Sequence, residues 1–170
     1  MSYRKERRFS LSGKDYSDYA GVDFSKLSRE ELEKLWRETL ENGMHGLCFS
    51  MYEDGQGPGD IITEEQVTRR LDIIKSYTEW VRSFSCVEGN EHIPRIAHKK
   101  GMKTLVGAWL GDDMEMNEAE IEGLITLAKE GCVDIAAVGN EVLYRKELTQ
   151  DQLIEYINRV KEAIPGVPVG

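Results

Sequence analysis

The chain has 170 residues, 40% of them apolar and 31% charged, a composition that fits a soluble globular domain and excludes fibrous, collagen-like and low-complexity chains. A formal net charge of −9 repels nucleic-acid backbone and anionic lipid, and the one basic cluster, Arg4, Lys5, Arg7 and Arg8, is short and terminal. No stretch approaches the roughly 18 apolar residues of a membrane span and no apolar leader follows Met1, so neither nucleic acid nor membrane is expected as a partner and the expected location is cytoplasmic.

Residues 1–27 read as a polar N-terminal arm without a core of its own. Ser28-Arg-Glu-Glu31 is a capping box opening a helix whose buried stripe is Leu32, Leu35, Trp36, Thr39 and Leu40, and Asn42-Gly43 ends it. The period then changes. Gly46-Leu-Cys-Phe-Ser-Met-Tyr52 predicts strand one, and Glu53-Asp-Gly-Gln-Gly-Pro-Gly-Asp60 predicts a long loop. Thr63-Glu-Glu-Gln66 is a second capping box, for a helix with Val67, Leu71 and Ile74 inside, and Trp80-Val-Arg-Ser-Phe-Ser-Cys86 is strand two. Asn90 is placed to cap a helix burying Ile93, Ile96 and Ala97, Gly101 stops it, and Lys103-Thr-Leu-Val-Gly-Ala-Trp-Leu110 is strand three. Asn117-Glu-Ala-Glu120 opens the next helix, with Ile121, Leu124, Ile125 and Ala128 as its stripe and Gly131 as its stop, before strand four at Val133-Asp-Ile-Ala-Ala-Val-Gly139. Thr149-Gln-Asp-Gln152 caps a helix carrying Leu153, Ile157, Val160 and Ile164; Pro165-Gly166 breaks it and Val167 begins a fifth strand.

Strand starts near residues 45, 80, 103, 133 and 167 recur about every 30 residues, and eight such units need about 250, the size of a (β/α)8 barrel. The predicted fold class is therefore α/β, of the (β/α)8 TIM-barrel type, with residues 28–170 supplying about four βα units and the start of strand five. An open doubly wound sheet shares the rhythm, but no G-x-G-x-x-G loop follows strand one. A chain that stops in mid-strand reads as a piece of a longer protein. It would leave apolar positions such as Phe49, Val81, Phe84, Leu105, Val106 and Ile135, or their inward-facing neighbours, open to water, and a homodimer or larger oligomer is expected to cover them.

In such architectures the working groups lie at the C-terminal ends of the strands. Strand one delivers Ser50, Tyr52, Glu53 and Asp54; strand two Arg82, Ser83, Ser85 and Glu88; strand three Trp109, Asp112 and Asp113; strand four Asn140, Glu141, Tyr144 and Arg145. Carboxylates, aromatics and small polar groups suit sugars, whose apolar faces need aromatic platforms and whose glycosidic oxygen needs a proton. Within Val138-Gly-Asn-Glu-Val142, Glu141 is expected in a partly desolvated cleft beside an amide, where a raised pKa suits a general acid; an ordinary polar loop pair is the alternative. His45, His92 and His98 fall away from that face. Cys48, Cys86 and Cys132 show no C-x-x-C spacing, so free buried thiols are expected, with no structural zinc, no other metal and no cofactor.

Four segments in order resemble glycoside hydrolase family 17, the β-1,3-glucanase-type retaining glycosidases on (β/α)8 barrels. They are Gly46-Leu-Cys-Phe-Ser-Met-Tyr52, Val81-Arg-Ser-Phe-Ser85, Val106-Gly-Ala-Trp-Leu-Gly-Asp112 and Val138-Gly-Asn-Glu-Val142, and with Leu143-Tyr-Arg145 the likeness is closest to bacterial members. The resemblance implies that Glu141 is the catalytic acid/base and that Asn140 hydrogen-bonds the sugar 2-hydroxyl. It implies substrate contacts from Tyr52, Arg82 and Ser85 in the cleavage subsite and from Trp109, Asp112 and Tyr144 to neighbouring glucose units. A barrel-end salt bridge to Glu141 or Glu88 is the alternative for Arg82, and core packing for Trp109. The family's nucleophile, a second glutamate near the end of strand seven, would then lie outside this chain, and Glu53, Glu88, Asp112 and Asp113 have no evident place across the sugar from Glu141. The function implied is the N-terminal half of a retaining β-glucan hydrolase or transglycosylase. A half barrel that binds glucan without cutting it, and one whose main property is self-association, are the other readings.

Overall fold

The computed structural model describes residues 21–170. The chain runs α1 (Arg29–Asn42), β1 (Met44–Cys48), α2 (Glu64–Ile74), β2 (Thr78–Ser83), α3 (His92–Lys99), β3 (Lys103–Ala108), α4 (Met114–Lys129), β4 (Ile135–Val138), α5 (Val142–Arg145) and α6 (Gln150–Ala163). All strand pairs are parallel and the spatial order is β1-β2-β3-β4, with Leu47 opposite Val81, Arg82 opposite Leu105 and Leu105 opposite Ile135. An order that follows the sequence without reversal is that of a (β/α)8 barrel wall; the doubly wound alternative needs a switch point where the order turns back. Val169 pairs in parallel with Ala136, where the fifth strand is expected. Of the expected arm, residues 1–20 lie outside the described residues, and its remainder holds one 3-10 turn, Phe24–Lys26, capped by Asp23.

Alternation along the strands decides where the core sits. Val81, Thr104, Val106, Ala108, Ala136 and Val138 are buried under the helices. Two apolar clusters result, one around Val67, Leu71, Ile93 and Ile96, the other around Ile121, Leu124, Leu127 and Val160. The opposite face, with Cys48, Trp80, Arg82, Leu105 and Ile135, lines an open groove of about 520 Å3. The expected exposed set is corrected accordingly: Phe49, Val81 and Val106 are buried on the helix side, while Leu105 and Ile135 are on the open side.

The capping boxes at Ser28 and Thr149 form as expected, each with its reciprocal pair of hydrogen bonds. At Thr63 only one half forms, because the Gln66 side chain turns inward and its amide donates to the Met51 carbonyl at 2.9 Å. Asn90 does not cap α3; its amide donates to the Val87 carbonyl at 3.0 Å. Helix α4 starts three residues before Asn117, because the Asp113 carboxylate accepts the N–H groups of Glu115 and Met116. Asn117 and Glu120 consequently lie inside the helix and are buried. The stripe expected on α1 is not buried among the described residues, where Trp36 is 64% exposed. Cys86 and Cys132 are buried free thiols, whereas Cys48 is a free but exposed one. No helix among the described residues is long and apolar enough to cross a membrane.

Candidate functional site

The chain leaves β4 through a sharp turn. Gly139 has φ +81°, a conformation that a Cβ would strain, and Glu141 follows in the left-handed region at φ +54°, ψ +16°. A non-glycine residue there is held by its surroundings. The Gly139 N–H donates to the Ala108 carbonyl at 3.0 Å, and the Arg145 N–H donates to the Glu141 carbonyl at 2.9 Å. The Arg145 guanidinium donates to the Asn140 carbonyl and, at 2.8 Å, to that of Leu110; it pairs with Glu147 and stacks 4.6 Å from the Trp109 ring centre. One side chain therefore ties the ends of β3 and β4 together.

Arg82 reaches across the end of the sheet, and its Nη2 donates to Asn140 Oδ1 at 3.0 Å. Neither salt bridge suggested for Arg82 is its partner in this bond. Because a guanidinium can only donate, it fixes the amide with the oxygen toward Arg82 and leaves the N–H2 group to donate elsewhere. The Arg82 guanidinium also lies 4.5 Å over the centre of the Phe84 ring, and Phe84 lines a cleft of about 490 Å3 with Tyr52, Ser85, Glu88, Trp109 and Glu120 among apolar side chains of the β1 and β2 ends. Trp109 is part-exposed on the cleft wall, which excludes plain core packing for it.

The predicted residues thus divide into three groups. Tyr52, Ser85 and Trp109 line the cleft, Arg82 and Asn140 form one pair, and Asp112, Glu141 and Tyr144 are exposed, Tyr144 at 85%. The expected desolvation of Glu141 is corrected: its position at the strand end sets its side of the sheet, but the left-handed turn leaves the side chain in solvent. The other carboxylates of that face are mostly engaged. Glu53 pairs with Arg69 at 2.6 Å, Glu88 accepts the Gly59 N–H at 3.1 Å, and Asp113 caps α4. His45 lies in β1, and His92 and His98 in α3, away from the cleft. No group of His, Cys, Asp or Glu among the described residues is arranged to hold a metal.

The residue that sequence reasoning missed is Glu120, which is 2% exposed. Its carboxylate accepts the Ser85 hydroxyl at 2.5 Å and the Cys86 N–H at 2.7 Å, and the Trp109 backbone N–H further stabilises its charge. Burial pushes its pKa up from 4.5 to about 7, against the pull of those three donors and with a smaller push from Glu88. Burial also raises the Cys86 thiol, helped by the charges of Glu120 and Glu91, which keeps it a thiol. The signal was present: Glu120 stands three residues from Asn117 and four from Leu124, on the buried stripe of α4.

A pH dependence of stability follows. The folded pKa of Glu120 lies above the unfolded one, so between them the native state holds a proton that the unfolded chain has lost. Its contribution is full below pH 4.5 and disappears as pH rises through about 7, a loss on the order of 3 kcal/mol. Urea unfolding of the native chain and Glu120→Gln across pH 4.5–8 is expected to show this decline only in the former. Parallel profiles would show that Glu120 titrates as it does in water.

The family model for the BtgE/BtgC glycoside hydrolase domain matches residues 46–169. A glucan 1,3-beta-glucosidase of Candida albicans is 29% identical over 102 residues, which are 57% of this chain and 33% of that protein. A glucan 1,3-beta-glucosidase of Saccharomyces cerevisiae is 31% identical over 101 residues, 57% of this chain and 32% of its own length. The aligned part thus spans about a third of these curated relatives. Among solved structures, an active-site mutant of Rhizomucor miehei beta-1,3-glucanosyltransferase in complex with laminaritriose superposes with a TM-score of 0.62 at 25% identity, over 76% of this chain and 49% of that one. All three relatives are fungal, whereas the sequence resemblance pointed to bacterial members.

Proposed function

The chain belongs to the BtgE/BtgC glycoside hydrolase domain family, and on that premise we propose that it supplies the acid/base half of a retaining β-1,3-glucan hydrolase or glucanosyltransferase of glycoside hydrolase family 17. The observation that carries this reading is the Arg82–Asn140 hydrogen bond at the end of the sheet, which sets an oriented amide next to Glu141 in the chain. In this reading Asn140 donates to the sugar 2-hydroxyl, and Glu141 protonates the departing glycosidic oxygen. Glu141 then takes the proton from water, for hydrolysis, or from a sugar hydroxyl, for transfer. Its exposure suits the second half of that cycle, in which the acceptor must reach it. Tyr52 lines the cleavage subsite, and Trp109, held face-on by Arg145, offers aromatic surface to a neighbouring glucose unit, with Tyr144 and Asp112 further out. Substrate is the partner required; no cofactor enters the chemistry. The free thiols support a reducing compartment, the cytoplasm.

Calorimetry with laminaritriose and the β-1,4-linked cellotriose tests the reading. Binding of the first at least about tenfold tighter is expected, because the spacing of aromatic platforms selects linkage geometry. Equal affinity for both, or for neither, would count against it. Self-association is a second reading, favoured by the open groove of Cys48, Trp80, Leu105 and Ile135. A dimer mass in solution would support it.

A further inference from the structure

We propose that Glu120 is a positioning residue of the cleft: by holding the Ser85 hydroxyl and the Cys86 backbone N–H, it fixes the end of β2 against α4 in the arrangement that receives sugar. The inference rests on the glucan reading for what the cleft receives and on geometry for the rest. Two donors from the end of β2 converge on one carboxylate that makes no contribution to the chemistry assigned to Glu141. Two of its neighbours, Ser85 and Trp109, are themselves cleft walls.

Helix α4 is built to bring this carboxylate close. One turn before Glu120, the Asn117 side chain accepts the Gly111 N–H at 2.8 Å and donates to the Gly111 carbonyl at 2.9 Å, anchoring the helix to the chain leaving β3. One turn after it, a Cβ on Gly123 would stand 2.8 Å from Cys86 Cβ and 2.9 Å from the Cys86 carbonyl oxygen, so only glycine allows α4 this near the end of β2. Asn117, Glu120 and Gly123 share one face at three-residue spacing. A carboxylate serves both donors at once. Leucine would strand an N–H group and a hydroxyl, whereas glutamine can accept the Cys86 N–H bond and donate to the Ser85 oxygen.

The test uses the whole 170-residue chain with two readouts, calorimetric affinity for laminaritriose and amide hydrogen exchange at Cys86. Glu120→Leu is expected to weaken laminaritriose by about tenfold or more and to release the Cys86 amide to exchange while the α4 amides stay protected. Glu120→Gln is expected to restore affinity to within about threefold. A folded Glu120→Leu chain with native affinity and native exchange would overturn the proposal, and so would Glu120→Gln failing as badly as Glu120→Leu. Should the leucine variant not fold, Gly123→Ala displaces α4 from Cys86 instead; faster exchange at Cys86 with weaker laminaritriose binding supports the proposal, and native affinity despite faster exchange overturns it. Absence of laminaritriose binding by the native chain would instead overturn the glucan reading, leaving the exchange results to decide whether Glu120 ties the end of β2.

Discussion

Glu141→Gln is expected to lower turnover of β-1,3-glucan by about 10²–10⁴ when assayed in an assembly that contains all eight strands of the barrel. Glutamine keeps the size and hydrogen-bonding reach of the side chain and removes the transferable proton. The backbone tolerates the change, since the left-handed conformation at φ +54° is imposed by the Gly139 turn and by Arg145, which serve either residue equally. The loss should therefore fall on turnover, with substrate affinity and thermal midpoint little altered. Sugar leaving groups need protonation most, so they should show the full effect. Native-like turnover of glucans by the glutamine variant would remove Glu141 from the acid/base role.

The 170-residue chain by itself is expected to give no measurable turnover, a larger effect still. Retention requires a second carboxyl group about 5–5.5 Å from the first to form the covalent intermediate. Glu53, Glu88 and Asp113 are each committed to a partner within the fold, Asp112 is exposed beyond β3, Glu120 is tied to the end of β2, and β1 to β4 are half the strands of a barrel. The nucleophile is therefore expected from strands outside these four, and turnover should appear when they are supplied. Mass spectrometry after incubation with a fluorinated glucosyl donor measures this directly. A glycosyl adduct on any carboxylate of this chain alone would show that the second carboxyl is already present.

How far the sequence could be read depends on what each signal encodes. Strand rhythm and helix caps are local, and Ser28, Thr149 and the four parallel strands follow from them directly. Burial depends on what else packs nearby. The leucines and Trp36 of α1 mark a face suited to cover without specifying the cover, and Glu141 and Cys48 are on the expected elements but more exposed than their apolar neighbours suggested. Glu120 was hidden by a competing signal: Asn-Glu-Ala-Glu mimics a helix start, which would place its last residue in solvent, whereas the Asp113 cap begins α4 earlier and turns the same residue inward. The Arg82–Asn140 bond joins residues 58 apart in sequence, and only the barrel wall brings them together.

Where a β-1,3-glucan binds is the most direct test of the proposed site. Titrating laminaritriose into the isotopically labelled 170-residue chain and following backbone and side-chain amide resonances locates the ligand residue by residue. Shifts are expected at Tyr52, Ser85, the Trp109 indole N–H and the Asn140 side-chain amide, with the Asn140 shifts lost in Arg82→Ala. Shifts confined to α6 or to the open groove at Cys48 and Ile135, with Asn140 and Trp109 unmoved, would contradict the proposed site.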